Sequence, residues 1–425
     1  MEKTEHVSEN EYVNAAKYLM YLLKSALHQS KIRKEPSKCT WEQVWELAQK
    51  NNVEVTVSEV VAQYEGNIPS ELRKKWRKAG KEILYRQICF EMERENILQG
   101  LAEKGIAWLP LKGINLVQYY PRPGMRWMCD DDILCGYIEE NEKGGYKICG
   151  EDEKAVSEWK EKAKEDIREI MENLGFSLKG VGSCHDLFQK GKIIKFEMHS
   201  QLFFRMHDGY FENPWESVIP DPVCKGQYHF SDEDEYLYMI GHAYKHFSDG
   251  GCGVRTLAEE YVFLQKKNTL DWDYIKRETA KCGTDSFEET LRKVALHAFS
   301  ENISLTETEW KFALHMIRCG TYGSIENQVG QKQQRIREEQ KCGRLHAILI
   351  YLKNRIVTDE YTLKEAHPFV DKYRVFLPLL PVYRIVRGMI LHPKRLVGEW
   401  RVMIRRRGEC LVNREVFEKR NSVKI

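Results

Sequence analysis

The chain has 425 residues, 42% hydrophobic and 31% charged, which is too long for one ordinary core and excludes global disorder on composition. A formal net charge of +2 excludes a polycationic molecule, so any nucleic-acid or anionic-lipid site has to come from local clustering. The twelve cysteines form no Cys-x-x-Cys pair, which excludes the usual zinc and redox spacings, and they are read as reduced thiols.

Met1 to Asn10 is charged and lacks the apolar stretch of a secretory signal, so a cytoplasmic location is expected. From Asn10 to about Gly100, Tyr12, Val13, Ala16, Leu19, Met20, Leu23 and Leu27 recur at three- and four-residue steps, predicting a helical lobe over residues 1–103. An apolar run from Ile106 to Leu111 then meets Lys112 and Gly113, and a second apolar segment runs from Ile114 to Tyr120. That order reads as strand, tight turn, helix. Pro121, Pro123 and Gly124 stop the helix, and Met128 to Cys135 is the second expected strand, with Asp130, Asp131 and Asp132 inside it. The polar stretch Glu139 to Glu151 reads as a loop. Val156, Trp159, Ala163, Ile167, Ile170, Met171 and Leu174 predict a helix closed by Gly175. Phe176 to Leu178 and Ile193 to Met198 predict two further strands, joined by a turn-rich segment in which His185 and Asp186 are read as turn residues. An α/β core is therefore expected over 104–225, with amphipathic helices over 226–372 starting at a Ser231 cap, and a basic tail over 373–425.

The chemistry starts from the acidic triplet. Side chains alternate across a strand, so Asp130 and Asp132 share one face and Asp131 points to the other. Two carboxylates about 7 Å apart on one face suit hard divalent cations, which prefer oxygen ligands. Glu197, in Phe196-Glu197-Met198-His199, is a third acid that a neighbouring strand could bring alongside. Such a set fits phosphoryl or nucleotidyl transfer, in which metals clamp the phosphates. Acidic triplets are more often solvated loops, but the apolar flanks Met128, Ile133 and Leu134 favour a strand. Backbone N–H groups near Gly113, with Lys112, are expected to face a triphosphate.

The run Leu111-Lys112-Gly113, Tyr120-Pro121, Pro123-Gly124-Met125-Arg126, Asp130-Asp131-Asp132 and Phe196-Glu197-Met198-His199 resembles the bacterial nucleotidyltransferase-like family. That family is marked by a Leu-Lys-Gly turn, a Pro-Gly-x-Arg loop, an Asp-x-Asp strand and a Glu-x-His strand. The similarity continues in His242, His246, Gly251 and Arg255, and spans about Gly105 to Leu264. It implies an α+β chain with a minimal nucleotidyltransferase fold, a short mixed β-sheet with helices, flanked by amino- and carboxy-terminal helical lobes. It further implies Asp130, Asp132 and Glu197 as catalytic and metal-binding residues for Mg2+ or Mn2+, and a nucleoside triphosphate as donor. Three departures stand out: no Gly-Ser pair opens the helix before the acidic strand, Asp131 occupies a position that is usually apolar, and the insertion from Glu139 to Glu151 is longer than the family pattern implies.

Lys112, Gly113, Arg126 and Arg255 are the expected phosphate-binding residues, because a guanidinium fork matches oxyanion geometry, although ordinary ion pairs are the competing reading for both arginines. His199, His242 and His246 are expected substrate contacts. His242 and His246 have a spacing that can chelate zinc, but Ala243 stands where a metalloprotease helix has its acid, and a structural or substrate-contacting role is preferred. The acceptor stays open among a carbohydrate, a small metabolite, a protein side chain and an RNA end. Val375 to Leu391, interrupted by Pro378 and Pro381 and carrying Arg384 and Arg387, falls short of a membrane span. Lys394, Arg395, Arg401 and Arg405 to Arg407, interleaved with Leu396, Val397, Trp400 and Met403, give an alternative. They resemble an interfacial helix for an anionic membrane or nucleic acid, on a degenerate nucleotide-binding scaffold that would hold a partner or a membrane surface.

Overall fold

The computed structural model describes residues 8–182, 184–203, 212–356, 383, 386–387, 389–390 and 393–404. Helix α1 (Glu9–Leu27) opens on a capping box of Ser8 and Glu11, and α2 (Trp41–Lys50) on one of Thr40 and Gln43, each pair satisfying amide groups that the first turn leaves open. After α3 (Glu54–Ala62) comes the long α4 (Ser70–Lys104). Trp76, Ile83, Phe90 and Ile97 recur along α4 every seven residues and are all fully buried, so a single stripe carries its packing.

That stripe meets a five-stranded mixed sheet built from β1 (Ala107–Pro110), β2 (Asp131–Gly136), β5 (Ser177–Val181), β6 (His185–Lys190) and β7 (Ile194–His199), in the spatial order β1-β2-β7-β6-β5. Only the central β2–β7 pairing is parallel. Helix α5 (Lys112–Val117) follows β1, and α6 (Glu153–Asn173) crosses from β2 back to the far edge of the sheet, ending before Gly175, whose φ of +83° suits a left-handed cap. Phe90, Ile97 and Leu101 of α4, with Ile167, Ile170 and Met171 of α6, cover one sheet face. There they pack on Ile133, Phe188, Ile194, Phe196 and Met198. The α+β class with a mixed sheet and flanking helices is thus the observed architecture.

Three local expectations are corrected. The segment taken as turns before Glu197 holds β6, paired on both sides, because Asp186 sits on the core face opposite Arg168 (3.5 Å) and so disguises the alternation of a buried strand. The loop 139–151 contains a hairpin, β3 (Ile138–Glu140) with β4 (Tyr146–Ile148). It turns on Asn141, whose Oδ1 accepts from Lys143 N (2.9 Å) and Gly145 N (3.0 Å). The acidic strand starts at Asp131, leaving Asp130 just ahead of it.

A short hairpin, β8 (Ile219–Pro220) with β9 (Tyr228–His229), follows, and Gly226 O accepts from Trp108 N at 2.9 Å beside it. Among the described residues the remaining helices are α7 (Asp232–Ser248), α8 (Arg255–Lys266), α9 (Trp272–Lys281), α10 (Asp285–Phe299), α11 (Glu307–Cys319), α12 (Ile325–Glu339), α13 (Arg344–Ile356) and α14 (Pro393–Ile404). Ser231 Oγ accepts from Asp234 N at 3.1 Å, as its place before α7 implies.

One compact unit comprises the described residues up to His242 with Val254–Leu314; the other comprises Ala243–Gly253 and those from His315 onward. The expected boundary at 372/373 lies outside the described residues. In the second unit Val402 and Met403 of α14 pack with Val329 and Tyr351, so part of the apolar set of the basic segment serves its own core, while Val397 and Trp400 stay exposed. Arg405 to Arg407, and most of 375–391, lie outside the described residues. Among the described residues no helix is long and apolar enough to cross a membrane.

Candidate active site

The sheet face away from α4 and α6 carries the charged residues, and strand register decides which of them meet. Asp132 of β2 is the direct partner of Glu197 of β7, and His199 of β7 is the direct partner of His185 of β6. These four side chains therefore share one face, whereas Asp131 points through the sheet and pairs with Arg94 of α4 at 2.5 Å. Asp130 reaches the same group from the entry to β2. Burial, and then the charges of Asp132 and Glu197, push its carboxyl up to about 7.

Two histidines moderate this acidic group. His199 Nε2 lies 3.4 Å from Asp132 Oδ1 and 3.5 Å from Glu197 Oε2, and His185 Nε2 lies 3.3 Å from the same Glu197 oxygen. Burial works against a charged His199, but its hydrogen bonds to Asp132 and Glu197 outweigh that and raise it to about 9. Burial likewise opposes ionisation of Asp132, yet the His199 hydrogen bond and charge hold it below the usual carboxylate range. Tyr238, one of the α7 residues, is buried nearby, and burial followed by the charges of Asp132 and Glu197 keeps its hydroxyl well above the usual range.

The expected phosphate-binding cations gather on one carboxylate. Glu259 of α8 accepts from Arg126 Nε (3.0 Å), pairs with Arg126 Nη2 (2.9 Å) and Arg255 Nε (3.2 Å), and lies 3.6 Å from Lys112 Nζ. Burial opposes its charge, but Arg126, Lys112 and Arg255 together depress it to about 2. Lys112 Nζ also lies 3.1 Å from His242 Nδ1. Gly113 lies against this arrangement, a Cβ there standing in ordinary contact with Arg126 Nη1 at 3.4 Å. The Pro123 to Arg126 loop is pinned on the opposite side: Gln87 Oε1 accepts from Gly124 N (2.9 Å) and Thr56 Oγ1 donates to Met125 O (2.7 Å). Gly124 has a φ of +78°, a conformation that glycine adopts without strain. Arg126 and Arg255 act electrostatically on Asp130, and Lys112 on Asp132, so the cations and the carboxylates belong to one site. His246 is exposed and belongs to the other compact unit.

An acidic pair fixed by strand register, a third acid beside it and a wall of cations are a donor set for divalent cations and polyphosphate. A family model described as an uncharacterised nucleotidyltransferase matches residues 37–137 and 160–300. The chain belongs to this family. No curated protein and no solved structure matches it. Every residue of the candidate site described above lies within the matched segments, which also take in α2, α3 and α4.

Sequence reasoning missed Glu259, Tyr238 and the position of His185 in this group, and Arg94 as the partner of Asp131 behind it. Glu259 left a signal, four residues after Arg255 on one helix, but that spacing marks an ordinary helical ion pair. Its convergence with Lys112 and Arg126 is a tertiary property.

Proposed function

We propose that this chain is a metal-dependent nucleotidyltransferase that uses Mg2+ or Mn2+ to move a nucleotidyl group from a nucleoside triphosphate to an acceptor hydroxyl. The acceptor is drawn from carbohydrates, small metabolites, protein side chains and RNA ends. The observation that carries the reading is the Asp132–Glu197 register, which sets two acids side by side with Asp130 pushed up against them. Burial and the neighbouring carboxylates favour a proton on Asp130 near neutrality, and a divalent cation would relieve the same repulsion with oxygen ligands. Asp130, Asp132 and Glu197 would hold the metal. When bound, it supplies Lewis-acid stabilisation to the α-phosphate and the attacking oxygen.

The residues of the chain account for the other roles. Lys112, Arg126 and Arg255 would face the β- and γ-phosphates and stabilise the negative charge that grows on the departing pyrophosphate as the α-phosphorus bond to it breaks. His199, raised to about 9 by Asp132 and Glu197, bridges the two acids and would orient both of them. His242, held against Lys112, sets that ammonium group.

The test is a screen of purified protein against the four nucleoside triphosphates with Mg2+ or Mn2+, with mass spectrometry of the products and Asp132→Asn as control. Product formation with pyrophosphate release, lost in Asp132→Asn, is expected. Nucleotide binding without turnover in any mixture would instead identify a degenerate nucleotide-binding scaffold.

A further inference from the structure

Nucleotidyl transfer as proposed needs oxygen ligands, yet the sheet face also presents two imidazoles directly opposed across the β6–β7 pair, with ring centroids 4.7 Å apart. One ligand atom from each of His185, Glu197 and His199 lies within 4.8 Å of the other two. The two edges that meet at Glu197 Oε2, 3.3 Å to His185 Nε2 and 3.5 Å to His199 Nε2, match the separation of about 3.4 Å between ligands held tetrahedrally at zinc-like bond lengths. His199 Nδ1 lies 3.4 Å from Gln201 O. In the tautomer with the proton on Nδ1, that carbonyl fixes the ring and leaves Nε2 as the lone-pair nitrogen, the usual support for a metal-bound histidine. The three side chains keep partial exposure, at 35%, 23% and 10% for His185, Glu197 and His199, which allows an ion to enter.

We propose that His185, His199 and Glu197 form a site for one first-row transition-metal ion, distinct from the oxygen-only set of Asp130 and Asp132 and joined to it through Glu197. Imidazole nitrogen suits zinc, cobalt and iron and is a poor ligand for magnesium, so the site discriminates against the ion that the carboxylates alone would accept. Because Glu197 is common to both sets, the inference rests in part on the functional reading above, and its test uses neither nucleotide nor turnover.

Full-length protein stripped with chelator is titrated with Co2+ alone and followed by visible absorption, with and without excess Mg2+. One equivalent of Co2+ giving intense ligand-field bands that Mg2+ does not remove is expected. His185→Gln and His199→Gln, each checked by circular dichroism, should weaken Co2+ binding at least tenfold, while Asp130→Asn keeps the bands. Pulsed electron paramagnetic resonance of Cu2+-loaded wild type should show coupling to imidazole nitrogen, a readout that needs no variant. Absence of the bands or of the nitrogen coupling, retention of the bands in folded His185→Gln, or equal losses in Asp130→Asn and His185→Gln would each overturn the site. Intact bands in a protein with no nucleotide turnover would reject the transferase reading alone, and turnover without bands would reject this site alone.

Discussion

Arg94 Nη1 lies 2.5 Å from Asp131 Oδ2 on the sheet face opposite the functional group, so the middle residue of the acidic triplet is a core carboxylate with a dedicated cation. Among the described residues its Oδ1 has no hydrogen-bond partner. Burial, only partly offset by Arg94, raises its carboxyl to about 6. Removing Arg94 leaves a buried charge uncompensated, and Arg94→Met should destabilise the fold by about 3 kcal/mol. The sign with pH follows from the raised value. The native state holds the proton more tightly than the unfolded chain, so this group favours folding at acidic pH, and the advantage fades as pH rises through about 6. Urea unfolding of Arg94→Met should therefore show a larger deficit against wild type at pH 8 than at pH 5, each set about two units from neutrality or less. An equal deficit at both would show that the pair is not electrostatic in origin.

Glu259 offers the opposite case, a buried carboxylate depressed to about 2 by the three cations around it. Its stabilising effect is present above the ordinary carboxylate range and disappears only as pH falls toward that value. Glu259→Gln should lower the melting temperature near neutral pH, because Lys112, Arg126 and Arg255 are then left to repel one another. If those cations also receive the triphosphate, a nucleotide should restore more stability to the variant than to wild type, since binding to the native state alone raises its melting point. Thermal shift with and without triphosphate measures this, and a smaller nucleotide effect in the variant would indicate that Glu259 positions the cations for the ligand rather than competing with it.

The legible parts of this site were the local ones. Alternation along β2 separates Asp131 from Asp132, and the apolar residues Ile194, Phe196 and Met198 set Glu197 on the opposite face of β7. The strand β6 was hidden because Asp186, at a core-facing position, breaks the alternating pattern that would mark it, and His185 was hidden with it. The β2–β7 register that joins Asp132 to Glu197, and the meeting of Lys112, Arg126 and Arg255 on Glu259, depend on pairings between distant segments. No window of sequence contains them.

A third carboxyl group outside the site gives a separate test of buried charge. Tyr236 lies with its hydroxyl 2.7 Å from Glu260 Oε1 and 2.9 Å from Glu288 Oε1. One hydroxyl proton cannot serve both acceptors, and Glu288 is paired with Arg292 at 2.6 Å, so the shared proton belongs on Glu260, which burial raises to about 8. With the folded value above the unfolded one, this group supports folding at low pH and progressively less as pH rises toward 8. Glu260→Gln supplies the same hydrogen-bonding shape without an ionisable group. It should match wild type near pH 5 and exceed it by several degrees in melting temperature near pH 9, at about 2–4 °C per kcal/mol for a domain of this size. No gain at the higher pH would place the proton elsewhere in the cluster.

The last prediction concerns Asp130, where proton and metal are expected to compete. Its carboxyl is raised to about 7 by burial and then by Asp132 and Glu197, so near neutrality much of the protein carries a proton that an oxygen-ligated cation must displace. Below that value, Mg2+ affinity should increase by up to about tenfold per pH unit for the one proton released, and it should level off above it. Asp130→Asn removes the titrating group as well as one ligand, so its Mg2+ affinity should be weaker at alkaline pH and nearly flat across the same range. Glu197→Gln should lower affinity while keeping a pH-dependent slope that is shifted downward, because one of the charges raising Asp130 has gone. Calorimetric titration in two buffers of different ionisation enthalpy counts the protons released on binding. With Asp130 raised to about 7, about half a proton is expected for wild type at neutral pH, rising toward one at lower pH, and fewer for Asp130→Asn. A wild-type affinity independent of pH from about 6 to 8 would mean that Asp130 is already ionised and does not share its charge with the Asp132–Glu197 pair.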